Sequence, residues 1–153
     1  MKLDNSLRNR LEKSEWWFLE RLDYVGARLI VEVVEGCVSS MTEDVSVDGA
    51  GVIPDVRPVE VTELSKRLRI EFVNVLAYQV IDESYYGGPS SSELEEVAGP
   101  ILCQQTGSDY LEYLRQTSLI KDLIDDPLHH YILNLADDIV DVITTSGPTV
   151  DLI

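Results

Sequence analysis

The chain has 153 residues, a length at which one domain buries roughly 70% of the surface its unfolded form exposes. Twelve Lys and Arg stand against 28 Asp and Glu, a formal net charge of −16. This balance argues against nucleic acid and anionic membranes, which are held by clustered cations, and a hydrophobic fraction of 44% argues against disorder.

In chain order, Leu3, Leu7 and Leu11 recur four apart behind capping residues and predict a short amphipathic helix. The same stretch alternates charged and apolar residues, unlike a signal peptide, and no run of about 18 apolar residues follows anywhere, so a cytoplasmic location is expected. Trp16, Trp17 and Phe18 open a second run that reaches Leu22. Beyond Gly26, Leu29, Val31 and Val33 alternate with Arg28 and Glu32, a strand pattern. A β-hairpin is the economical reading, with a longer N-terminal helix through Leu22 as its competitor. Residues 37–58, with two glycines and two prolines, read as turns flanking at most short strands.

The run 68–81 is the strongest strand pattern, with Leu68, Ile70, Phe72, Leu76, Tyr78 and Val80 on one parity and Arg69, Glu71 and Gln79 on the other. Residues 82–92 read as a long loop with Tyr85 and Tyr86 at its mouth. A short strand at 101–103 precedes a helix that Ser108 caps and that runs to Leu114 or Arg115. Residues 130–135 and 139–144 are spaced as a hairpin, and 149–153 docks as an edge segment. The expected fold is one α+β, mainly β domain over 1–153: an antiparallel sheet or sandwich of about six strands, with a short N-terminal helix and one further short helix.

Few residues suggest chemistry. His129 and His130 are adjacent, so on a strand they point to opposite faces and cannot easily share a metal ion. One interior histidine satisfied by a carboxylate and one more exposed partner are expected. Cys37 and Cys103 lie far apart and read as reduced thiols. The chain contains no GxSxG, no phosphate-binding glycine loop, no GxGxxG opening a helix and no HExxH, so neither catalysis nor a cofactor or metal is expected. The aromatic residues Trp16, Trp17, Tyr85 and Tyr86 and the carboxylates Asp137 and Asp138 are instead candidates for binding a partner. The expected function is that of a non-catalytic acidic interaction protein, engaging a basic protein or a second copy of itself. The alternative is a domain that binds a small molecule or divalent cation through His129 or His130 with nearby carboxylates, among them Asp125, Asp126 and Asp141.

The segment from Tyr78 to Glu83, together with His130–Tyr131, the run Ile139 to Ile143 and Pro148, resembles small bacterial proteins of unassigned function. The resemblance covers the second half of the chain and implies a cytosolic bacterial domain without assigning any residue a role. Acidity and size are also similar to those of immunity proteins that neutralise basic toxins, an analogy of charge and size only.

Overall fold

In the computed structural model, which describes residues 4–89 and 93–153, alternation and turn chemistry produce twelve strands. These are β1 (Trp16–Val25), β2 (Arg28–Val38), β3 (Glu43–Val47), β4 (Gly51–Val56), β5 (Val59–Glu60) and β6 (Arg67–Phe72), followed by β7 (Val75–Asp82), β8 (Leu94–Ala98), β9 (Leu102–Gln105), β10 (His129–Asn134), β11 (Asp138–Thr144) and β12 (Thr149–Leu152). Three helices accompany them: α1 (Asn5–Lys13), α2 (Asp109–Thr117) and α3 (Ile120–Leu123). The first sheet has the order β1-β2-β6-β12, with β5 also paired to β2, and the second has the order β7-β11-β10-β9-β8. Strands β3 and β4 form a separate ribbon. All these strand pairs are antiparallel, so the fold is α+β and mainly β.

The strand count exceeds the expected six for identifiable reasons. The loop-rich stretch 37–58 holds the β3–β4 hairpin, and the run 68–81 is two strands in different sheets. Its break falls at Asn74, which adopts a left-handed φ of 55°. Asparagine tolerates that conformation, and its amide donates to Ser146 Oγ at 2.8 Å while Thr144 Oγ1 donates to the carbonyl of Val73 at 2.7 Å. The chain therefore turns a corner from the first sheet into the second where side-chain parity alone reads straight through.

The hairpin reading of 16–36 holds, and the long-helix competitor does not. Gly26 and Ala27 both have positive φ, 59° and 61°, which matches the two-residue turn whose twist suits a hairpin. A bulge at Glu20, between the pairs Leu19–Val33 and Arg21–Glu32, shifts parity within β1. Before it Trp17 and Leu19 face the core, and after it Leu22 does. Trp16 and Phe18 consequently lie on the other face. Phe18 crosses Gly36, where an added Cβ would sit 2.5 Å from its ring and 2.6 Å from Val59.

Leu29, Val31 and Val33 of β2 and Leu68, Ile70 and Phe72 of β6 meet Tyr131, Leu133, Val140 and Val142 of the second sheet in one core. Leu11 of α1 closes an end of it at 1% exposure. The outer face of the first sheet is instead a charge lattice. Glu20 pairs with Arg67, Arg28 with Glu71, and Glu32 with both Arg69 and Arg21, which also meets Asp23. The Arg28 guanidinium holds the Glu71 carboxyl below its ordinary range.

Gly36→Ala is expected to destabilise the protein by about 1–3 kcal/mol, because Phe18 and Val59 have to leave their positions to admit a methyl group. Chemical denaturation measures this, and a variant as stable as the parent would show that the β1–β2 packing described here is wrong.

Candidate functional site

The second sheet differs from the first in being buried on both faces at its centre. Strands β10 and β11 have Tyr131, Leu133, Val140 and Val142 toward the core, yet Ile132, Ile139 and Ile143 on the opposite face are also at most 4% exposed. That face carries two ionisable groups, His130 at 2% and Asp141 at 2% exposure. The hairpin register pairs His130 with Ile143 and Ile132 with Asp141, so histidine and aspartate are diagonal neighbours on one face.

Buried polar groups need partners, and these have them. His130 Nε2 lies 2.7 Å from Asp141 Oδ1, and Gln79 Nε2, directly across from Asp141 on β7, donates to Oδ2 at 2.8 Å. On the other ring nitrogen, Ser108 Oγ is 2.6 Å from His130 Nδ1. Ser108 is also the N-cap of α2, where its Oγ accepts the Leu111 N–H at 2.9 Å. A carboxylate only accepts, so Nε2 carries a proton toward Asp141. One hydroxyl thus joins helix α2 to the sheet. The next turn adds Tyr110, whose ring meets that of His130 edge-on with centroids 5.6 Å apart.

Above this pair lies a cleft of about 550 Å³, floored by Gln79, His130 and Asp141 and walled by Tyr86 and Tyr110, with Glu93 and Asp109 also lining it. Gly87, Gly88 and Pro89, following the 3-10 turn Glu83–Tyr85, form one side. Burial, reinforced by the charge of Asp141, pushes both the Tyr86 and the Tyr110 hydroxyl up to about 12, with Tyr113 adding to the effect at Tyr110. Both tyrosines therefore remain neutral phenols at any physiological pH. No lysine or arginine is among the described lining residues.

The residues singled out from sequence separate into three places. Trp17 is 4% exposed in the core, so it is unavailable to a partner; its position on the inner parity of β1 puts it there. Tyr86 turns into the cleft. Trp16, Tyr85, Asp137 and Asp138 gather at the end of the second sheet, where the Ala136 N–H donates to the Trp17 carbonyl at 2.8 Å and the Glu83 N–H to the Asp137 carbonyl at 2.9 Å. Trp16 is 42% and Tyr85 84% exposed there, and Trp16 and Glu83 line a second hollow of about 390 Å³. Burial, with Asp137 and Asp82 alongside, holds the Asp138 carboxyl above its ordinary range. His129 lies on the other face of β10, within 3.1 Å of Gln104 Nε2. Among the described residues no group of three His, Cys, Asp or Glu side chains is arranged to hold a metal ion. Cys37 is exposed and Cys103 buried, and both are free.

Ser108, Gln79 and Tyr110, with Glu93 and Asp109 on the lining, are members of the site that sequence reasoning missed. Gln79 was legible as the polar position within an apolar strand. The approach of Ser108 and Tyr110 to His130 depends on how α2 packs on the sheet, which no local pattern encodes.

Two outcomes follow from this geometry. A double-mutant cycle on His130→Ala and Asp141→Ala is expected to return a coupling of about 1–3 kcal/mol in denaturation experiments, against near-additivity if the two do not share a bond. Asp138 binds its proton more tightly folded than unfolded, so its ionised form weakens the native state. Asp138→Asn is then expected to raise the melting temperature at pH 7, with the gain shrinking as pH falls into the carboxyl range, and an unchanged or lower value at pH 7 would contradict the crowding of Asp82, Asp137 and Asp138. No protein-family model, curated protein or solved structure matches the chain.

Proposed function

We propose that this protein is a non-catalytic binding module whose site is the cleft over His130 and Asp141. The observation that carries the reading is the pairing of a roomy hollow with a floor of buried polar groups, each held by a partner, beneath two tyrosine walls. Rigid polar groups under an apolar or aromatic wall orient a small ligand, and clefts of a few hundred Å³ bury most of its surface.

Ser108, His130 and Asp141 are linked in the order of a nucleophile, base and carboxylate, but their surroundings favour binding over catalysis. The Ser108 oxygen already caps α2, and Ser108 is absent from the described lining of the cleft. This differs from the protein-interaction role expected first from sequence and corresponds to its alternative, with His130 rather than His129 as the histidine involved. A cytoplasmic setting belongs to the same proposal and is supported by the two free thiols, one of them exposed. No helix among the described residues is long and apolar enough to cross a membrane.

A second reading keeps the protein partner. It is favoured by the gathering of Trp16, Tyr85, Asp137 and Asp138 at one end of the second sheet, exposed rings beside carboxylates, where a basic protein of the kind that immunity proteins bind would dock.

A soluble-fragment panel read by two-dimensional amide NMR separates the readings. Ligands are expected to move the amides of Gly87, Gly88, Gln105 and Tyr110 saturably, and Tyr110→Ala is expected to abolish those shifts. Perturbations confined to Trp16 and Asp137 would favour the partner surface, and a panel that moves neither set would overturn the cleft as a ligand site.

A further inference from the structure

The charge within the cleft narrows the ligand class, an inference that rests on the cleft being a ligand site. At its floor Asp141 is nearly excluded from water, and its two oxygens are held by the Nε2–H of His130 and the amide of Gln79. Neither lysine nor arginine is among the described residues that line the hollow, while carboxylates are. The walls add attraction of the same sign. Tyr86 and Tyr110 line the hollow, and tyrosine rings draw organic cations to their faces; Glu93 and Asp109 place two carboxylates on the same lining. Arg21, Arg28, Arg67 and Arg69 are all committed to ion pairs on the outer face of the first sheet.

We propose that the cleft takes a primary alkylammonium group, its cationic head beside Tyr86 and Tyr110 and the carboxylates of Glu93 and Asp109. Anionic ligands are repelled by the same groups, and neutral ones lack the attraction between opposite charges. A bare divalent cation is a poor competitor, because the described residues assemble no three-ligand set and an aromatic wall supplies no oxygen donor. A free aliphatic amine and the lysine side chain of a peptide share this head group.

The test is an amide NMR titration of the full chain at neutral pH and low salt with three probes of equal length: cadaverine, 1,5-pentanediol and glutarate. Cadaverine is expected to shift Gly87, Gly88, Gln105 and Tyr110 saturably while the other two leave them in place. Glu93→Gln and Asp109→Asn, both at positions with some solvent exposure and outside the His130 network, are expected together to weaken cadaverine by about tenfold and to steepen no other change. Tyr110→Leu is expected to weaken it further, and an unchanged melting curve for Glu93→Gln and Asp109→Asn separates lost binding from lost folding. The peptide acetyl-Gly-Lys-Gly-amide distinguishes the two sources: tighter binding than cadaverine assigns the head group to a protein's lysine, weaker binding to a free amine. Pentanediol or glutarate moving the same amides as strongly as cadaverine would overturn the ammonium assignment while leaving the cleft a ligand site. Failure of all three probes, together with fragments that bind elsewhere, would overturn both.

Discussion

The architecture turns on one constraint: the β10–β11 hairpin is buried on both of its faces. Its inner face closes the core against the first sheet, and that side is simple hydrophobic packing of Tyr131, Leu133, Val140 and Val142 against β2 and β6. Its outer face buries His130 and Asp141 among isoleucines, and neither group is stable there without hydrogen-bond partners. Each partner recruits an element. Gln79 comes with β7 at the sheet edge, and Ser108 comes with α2, whose first turn it caps by the same oxygen that serves the histidine. The helix that satisfies the buried pair also carries Tyr110 and Asp109 into place, so the cleft is a by-product of solving a desolvation problem.

Charge is partitioned to match. The first sheet spends its arginines on cross-strand pairs with Glu20, Glu32 and Glu71, an arrangement whose exposed members contribute little each but which leaves that face nearly balanced. The described lining of the cleft holds Glu93 and Asp109 but no lysine or arginine.

How much of this the sequence disclosed depends on whether the information is local. The hairpins, the Ser108 cap and the mainly β fold follow from alternation, turn residues and capping chemistry, all of which act within a few positions. The separation of His129 from His130 follows from strand geometry, and a carboxylate partner for the interior histidine was an expected consequence of burying it. What alternation conceals are the single residues that reset it. The bulge at Glu20 sends Trp17 inward and leaves Trp16 outside, and the left-handed Asn74 divides an unbroken apolar pattern between two sheets. The identity of the carboxylate depends on hairpin register, since a slip of one residue would replace Asp141 by a neighbour on the opposite face. The contacts of Ser108, Tyr110 and Tyr86 with the site come from tertiary packing, which no window of sequence contains.

The most direct test of this account is hydrogen exchange at the His130 ring nitrogens, read from imidazole nitrogen and proton NMR at neutral pH. The bond network places a proton on Nε2, slow to exchange because it is buried against Asp141, with Ser108 Oγ against Nδ1. A rapidly exchanging ring would mean that the pair is not buried at all and would contradict the central claim.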